Sequence, residues 1–185
     1  MGIPDRFEES IVSWFADKGL DPDADFARKA ALYVELIIEW SQRMNIVSRN
    51  DLPVLLERHI LDSLVPLPEI PDTGSLIDIG SGAGFPAIPI ALMRPRLEIV
   101  MVESTHKKTL FLNEAISRLE LTQAIVWNGR FEEYYPQNRF DIATIRAVKL
   151  TEKIRNALDR SMHKNSKVIY YNKFGQYELI HPENR

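Results

Sequence analysis

Apolar residues recur at three- and four-residue steps in the first third of the chain, which predicts amphipathic helices. The repeats are Phe7, Ile11, Trp14 and Phe15 in one stretch and Phe26, Ala30, Tyr33, Ile37, Trp40 and Met44 in the next. Gly19 closes the first helix, and Asp21 and Pro22 supply a cap and a first-turn proline for the second. A third helix is predicted from residue 53 to residue 65.

From residue 75 onward, short runs rich in β-branched and aromatic residues alternate with helical stretches. The runs are SLIDI, LEIVMVE, AIVWN, FDIATIR and KVIYY, and the helical stretches are 86–93, 105–119 and 151–162. This alternation predicts an α/β fold with a doubly wound, mostly parallel sheet that binds its ligand at the carboxyl ends of the strands. We expect a helical extension over residues 1–70 and a sheet domain over residues 71–185, packed as one compact unit.

Composition removes several classes of protein. The chain has no cysteine, which excludes disulfides, thiolate metal sites and cysteine nucleophiles, and four scattered histidines do not predict a metal site. No apolar run approaches the roughly 20 residues that cross a bilayer, and the first residues lack a basic region followed by an apolar one. We therefore expect a cytoplasmic, monomeric protein without a bound metal.

Charge is unevenly distributed. The net charge of -3 argues against non-specific coating of nucleic acid. Residues 1–40 hold nine acids against four bases, whereas residues 141–175 hold eight bases against three acids. The basic stretch is interpreted either as an RNA-binding face or as an ordinary solvated surface.

The loop DIGSGAGFP at residues 78–86 follows the first predicted strand. Its glycines give G-x-G-x-G, whereas the dinucleotide fingerprint is G-x-G-x-x-G, so the fit to a pyrophosphate is poor. Asp78 enters the loop, and Glu103 ends the second strand, where a carboxylate can accept both ribose hydroxyls. Two acids repel a pyrophosphate but suit an ammonium and a sulfonium, which favours S-adenosylmethionine. The alternative is a tight turn without a ligand.

Five segments together carry a resemblance to a known family. They are RHILDSL (58–64), DIGSGAGFPAIPIAL (78–92), ESTHKKTLFL (103–112), GRFEEY (129–134) and FDIATIRA (140–147). In this order and spacing the chain resembles, from residue 26 to about residue 172, the bacterial small-subunit ribosomal RNA guanine-N7 methyltransferases, also called glucose-inhibited division protein B. The resemblance implies a Rossmann-like class I methyltransferase fold, with residues 71–185 as the S-adenosylmethionine-dependent domain and N-terminal helices before it.

The resemblance also implies a set of cofactor-binding residues. They are Asp78, Gly80, Ser81, Gly82, Gly84, Phe85, Glu103, Ser104, Phe131, Glu132 and Arg146. Gly80 and Phe85 are expected beside the methionine and the adenosine, and Glu103 at the ribose. The adenine is expected at Phe131 and Glu132.

Arg146 is the candidate catalytic residue, because the resemblance implies that it faces both the cofactor and the incoming base. An arginine can donate to O6 of guanine, whereas a salt bridge at a strand end is the alternative. The family usually has a serine where this chain has Ile145. The isoleucine would remove a hydroxyl near the reaction centre. His59 is interpreted as a packing or hydrogen-bonding residue, and Asp62 as one that orients its helix.

The expected partner is small-subunit (16S) ribosomal RNA or the 30S particle, contacted by Lys107, Arg130, Lys149 and Arg155. Lys107 can equally belong to a solvated helix face. Guanine N7 has a free lone pair, so its methylation needs alignment and electrostatics and no base. Two alternatives stay open from the sequence: a methyltransferase of another substrate, and an inactive module that binds the cofactor.

Overall fold

Six strands form one sheet in the computed structural model, which describes residues 7–19 and 24–181. The strands are β1 (Thr73–Ile79), β2 (Arg96–Glu103), β3 (Ala124–Asn128), β4 (Phe140–Arg146), β5 (Met162–Lys173) and β6 (Gln176–Ile180). Their order across the sheet is β3-β2-β1-β4-β5-β6, with β1 to β5 parallel and β6 antiparallel to β5. The predicted mostly parallel sheet is confirmed, and the residues after β5 supply one short strand.

Five α-helices are present in the described ranges. They are α1 (Phe7–Lys18), α2 (Ala24–Ser41), α3 (Ala87–Met93), α4 (His106–Arg118) and α5 (Glu152–Ser161). The helical stretches predicted after residue 75 agree with α3, α4 and α5 to within one residue at each end. The predicted cap at Asp21 and Pro22 lies outside the described residues. None of the helices in these ranges is both long and apolar enough to cross a membrane.

The predicted third helix has a different winding. A 3-10 turn at Leu52–Val54 leads into a π-helical turn at Leu56–Leu61, in place of one α-helix over residues 53–65. The backbone N–H of Asp62 donates to the carbonyl of Glu57, five residues earlier. Such wide turns frequently occur at functional sites, and here the residues that follow the turn contact Arg146.

Alternate residues of the strands are buried on opposite faces of the sheet. One face, which carries Leu76 and Ile99, packs against α1 to α4 in a single apolar core. The other face, which carries Ile145, packs against α5 and the turn at Phe131–Glu133. Ile145 is fully buried on this face and directly precedes Arg146 at the end of β4. The expectation that residue 145 lies close to the reaction centre stays a prediction.

The N-terminal helices share their core with the sheet domain. Phe111 of α4 is fully buried, 6.4 Å from the ring of Tyr33 and 5.7 Å from that of Trp40, both on α2. Trp40 also donates from its indole nitrogen to Glu114. The extension and the sheet are thus joined by a buried aromatic cluster.

We expect Phe111→Ala to destabilise the protein by about 3 to 5 kcal/mol, because it leaves a cavity where α2 packs on α4. Urea denaturation followed by tryptophan fluorescence and by far-ultraviolet circular dichroism measures this, and the two curves should coincide. The neighbouring Leu110 is 49% exposed, so Leu110→Ala is a matched control that should change stability by less than about 0.5 kcal/mol. If the N-terminal helices unfolded in a separate transition at lower urea concentration, the result would contradict a core shared with the sheet.

Candidate functional site

The glycine loop begins where β1 ends and is fastened to β2. The N–H groups of Gly80 and Ser81 both donate to the carbonyl of Val102, at 2.9 and 3.0 Å. Gly80 has φ +76°, and a Cβ there would lie 2.5 Å from Cγ2 of Val148. Position 80 therefore favours glycine for its backbone conformation and for the close approach of the segment after β4.

Tyr33 supports the same loop from α2. It is fully buried, and its hydroxyl donates to the carbonyl of Ala83. A Cβ at Gly84, where φ is +90°, would lie 2.8 Å from the Tyr33 hydroxyl. The ring of Phe85 lies 5.4 Å from that of Tyr33. From the sequence, Tyr33 could be recognised only as an apolar helix position, because its contact with a loop 50 residues later has no local sequence signal.

Glu103 lies at the carboxyl end of β2, opposite the loop. Its carboxylate is 6% exposed and accepts from the backbone N–H of Gly82 at 2.8 Å and of Thr105 at 2.7 Å. An ionised carboxylate has about four acceptor positions, so these two bonds leave others. The Glu103 carboxylate is therefore fixed in orientation and still able to accept hydroxyl donors.

Asp78 lies beneath the loop and is 1% exposed. Its Oδ1 accepts from the hydroxyl of Thr144 on the neighbouring strand at 2.7 Å. Its Oδ2 has no hydrogen-bond partner among the described residues. Burial raises the pKa of Asp78 to about 6, against the effect of the hydrogen bonds that it accepts. A cationic ligand at the loop would favour the ionised form of this carboxylate.

Arg146 ends β4 and is held by the segment RHILDSL. Its Nη2 lies 2.9 Å from Oδ2 of Asp62, which is 4% exposed, and donates to the carbonyl of Arg58 at 2.8 Å. Its Nη1 donates to the hydroxyl of Ser63 at 3.4 Å. The salt bridge considered as an alternative for Arg146 is therefore present. These contacts use three of the five N–H groups of the guanidinium.

Asp62 also fastens the hairpin that joins β5 to β6. Its Oδ1 accepts from the N–H of Gly175 at 2.5 Å. Tyr171 of β5 donates from its hydroxyl to the carbonyl of Ser63 at 2.7 Å. A cleft of about 520 Å³ lies between the RHILDSL segment and the carboxyl ends of β4 and β5. The prediction that Asp62 orients its own helix did not include its contacts with Arg146 and Gly175, which lie 84 and 113 positions later in the chain.

The remaining predicted cofactor residues differ in exposure. Ser81 is buried and donates from its hydroxyl to the carbonyl of Asp78, whereas Ser104 is exposed next to Glu103. Phe131 is 3% exposed and packs on the face that carries α5. Glu132 is half-buried, and its carbonyl accepts from Arg160. These residues follow the ends of β1, β2 and β3, which agrees with one site along this edge.

The four basic residues predicted to contact RNA are all exposed. Lys107 follows β2, Arg130 follows β3, and Lys149 follows β4, so these three lie after the same edge of the sheet as the glycine loop. Arg155 lies on α5. The carboxyl edge of the sheet thus carries both the buried acids and a set of solvated cations.

Comparison with known proteins gives one family over most of the chain. Residues 27–182 match the family described as rRNA small subunit methyltransferase G. Two proteins named ribosomal RNA small subunit methyltransferase G are similar to this chain. The one from Nitrosomonas eutropha is 39% identical to it over 139 residues, and the one from Nitrosomonas europaea is 41% identical over 121 residues. These matches cover 75% and 65% of this chain and 64% and 56% of the relatives. The matched part is therefore less than two thirds of either relative.

Solved structures support the fold. The precorrin-6y C5,15-methyltransferase of Geobacter metallireducens has a TM-score of 0.52 at 17% identity, covering 60% of each chain. A glycopeptide N-methyltransferase, solved in complex with S-adenosyl-L-methionine, has a TM-score of 0.53 at 11% identity and covers 60% of this chain and 49% of its own. The predicted Rossmann-like methyltransferase fold is confirmed.

The buried Asp78 generates a prediction about pH. Its pKa is 3.8 in an unfolded chain and about 6 in the fold, so ionisation lowers stability as the pH rises through this window. We expect ligand-free Asp78→Asn to be more stable than the wild type by about 1 to 3 kcal/mol at pH 8, and equally stable below about pH 4. Urea denaturation at both pH values measures the difference. The exposed Asp159 supplies the control, because Asp159→Asn should show no such dependence; a constant difference for Asp78→Asn would contradict the assignment.

Proposed function

Because the chain belongs to the rRNA small subunit methyltransferase G family, we propose that it transfers a methyl group from S-adenosylmethionine to N7 of a guanine in small-subunit ribosomal RNA. The observation that carries the proposal is the pair of buried carboxylates, Asp78 and Glu103, that flank the glycine loop. Two carboxylates beside a ligand-binding loop repel a pyrophosphate and attract a cationic cofactor. The residues fit S-adenosylmethionine better than a dinucleotide.

Each part of the cofactor has candidate partners. The carboxylate of Glu103 accepts the ribose hydroxyls, because its two backbone bonds hold it in place and leave lone pairs for them. The loop from Gly80 to Gly84 brings its backbone close to the methionine part, and Asp78 supplies negative charge beneath it. Ser104, Phe131 and Glu132, at the ends of β2 and β3, border the adenosine.

When bound, S-adenosylmethionine supplies an electrophilic methyl group, and the N7 lone pair forms the new N–C bond while the electron pair of the S–C bond leaves with sulfur. No proton leaves in this step, so the chain has to align the base and stabilise charge. Arg146 donates to O6 of the guanine through N–H groups that Asp62, Ser63 and Arg58 do not use. Asp62 thereby sets the orientation of the donor.

Lys107, Arg130, Lys149 and Arg155 contact RNA phosphates in this proposal. Their exposure and the position of three of them after the carboxyl edge support it. Phosphate contacts of this kind release counterions, so RNA affinity should fall with salt.

The first test concerns the cofactor. We expect Glu103→Ala to weaken binding of S-adenosylhomocysteine by roughly 2 to 4 kcal/mol, because two charge-assisted hydrogen bonds to the ribose are lost. Isothermal titration calorimetry measures the affinity. Glu98 lies on the same strand, exposed near its amino end, and Glu98→Ala should bind normally. If Glu103→Ala changes the affinity for S-adenosylhomocysteine by less than about threefold, the Glu103 carboxylate does not bind the ribose.

The second test concerns the reaction. We expect labelled methyl to pass from the cofactor to ribosomal RNA or 30S particles from a strain that lacks the activity, and nucleoside analysis to yield N7-methylguanosine. Arg146→Ala should lower the rate at saturating substrates at least tenfold, about 1.4 kcal/mol. Because this variant leaves Asp62 without its cation, Arg146→Ala/Asp62→Asn is the matched control.

The outcomes of this test are distinct. If the double variant stays slow, the arginine acts on the substrate; if it recovers, the arginine serves only to neutralise Asp62. Label in another nucleoside would assign another substrate. Cofactor binding without transfer to any ribosomal substrate would indicate an inactive binding module.

A further inference from the structure

The cleft between the RHILDSL segment and the ends of β4 and β5 contains the bonded pair of Asp62 and Arg146 that the proposed reaction uses. Two further polar side chains, Asp51 and His59, line the same cleft and have no role in that reaction so far.

Asp51 lies at the N-cap position of a 3-10 turn, but its side chain does not cap that turn. It precedes the 3-10 turn Leu52–Val54, and its side chain accepts no bond from the N–H groups of that turn. An aspartate at this position ordinarily makes such a bond. Its Oδ2 instead lies 3.6 Å from Nε2 of His59, another residue of the cleft, and the side chain is 29% exposed. The carboxylate is thus turned from its local backbone toward the cleft.

His59 connects Asp51 to the glycine loop. Its ring lies 5.0 Å from the ring of Phe85, at 31° between the planes. Its Nε2 is buried and has no hydrogen-bond partner among the described residues. Burial, and next the charge of Arg146, lower the pKa of His59 below its usual value. A lowered pKa favours the neutral imidazole, which lies beside the Asp51 carboxylate without a hydrogen bond to it.

We propose that Asp51 is the residue that selects guanine, accepting the N1–H and one N2–H of the target base while Arg146 donates to O6. This inference rests on the proposed function. A carboxylate accepts only, and guanine presents two adjacent donors at its Watson–Crick edge, one of the edges by which proteins hydrogen-bond unpaired bases. Adenine presents a lone pair at N1, which the carboxylate repels. Asp51 and Arg146, which line the same cleft, thus both favour guanine over adenine.

The same contact favours the reaction. The purine ring becomes positively charged as N7 gains the methyl group, so N1–H and N2–H become stronger donors in the transition state. Hydrogen bonds that strengthen in this way raise kcat more than they lower KM. Loss of Asp51 should therefore reduce kcat, with little effect on cofactor affinity.

The experiment combines a protein change with a change of base. Once the methylated guanine has been mapped, RNA is prepared with guanosine or inosine at that position; inosine lacks the N2 amino group. For the wild type we expect kcat/KM to be about tenfold to a hundredfold lower with inosine, as for one hydrogen bond to a charged group. Asp51→Asn and Asp51→Ala should be slow with guanosine and discriminate less than about threefold.

Glu98→Gln removes one exposed charge at the opposite edge of the sheet and should keep the wild-type ratio of the two rates. If Asp51 had only a structural role, its variants would slow both RNAs equally, so an unchanged ratio overturns the inference. A wild type that does not discriminate overturns it too. A wild type that methylates neither RNA overturns the proposed function, and the inference with it.

Discussion

The pairing of Asp62 with Arg146 is the constraint on which the geometry of the site depends. A carboxylate that is 4% exposed is costly to bury without partners. Here it is satisfied by the guanidinium at the end of β4 and by the N–H of Gly175 in the β5–β6 hairpin. One side chain therefore fixes the relative positions of three segments, and the cleft between them keeps its shape.

Parallel strands bring their carboxyl ends to one edge of a sheet, and this is why groups distant in sequence meet here. Asp78 and Glu103 lie at the carboxyl ends of the adjacent strands β1 and β2, and Thr144 of β4 holds Asp78 in place. The glycine loop alone would not be rigid. Tyr33 of α2 binds it from below, so the N-terminal helices contribute to the site and cannot be regarded as an independent appendage.

Most of the sheet and the long helices could be predicted, because their signals are local and periodic. The parallel sheet and the loop at the end of β1 followed from the alternation of elements, and Glu103 from its place at the end of β2. The contacts of Asp51, His59 and Asp62 could not be predicted in this way. The partner of Asp62 is 84 residues away, and a contact over that distance produces no periodic pattern in the sequence. Asp51 has the sequence pattern of an ordinary helix cap, but its side chain makes no capping bond in the fold. The π-helical winding of residues 56–61 also lacks a sequence signal, since its apolar spacing resembles that of an α-helix.

That winding has a consequence for which backbone groups are available at the site. In an α-helix the N–H of Asp62 would donate to the carbonyl of Arg58, four residues earlier. In the π-helical turn it donates to the carbonyl of Glu57, and the carbonyl of Arg58 accepts from Arg146. The wider turn thus supplies the arginine with a backbone acceptor that regular helical winding would use within the helix.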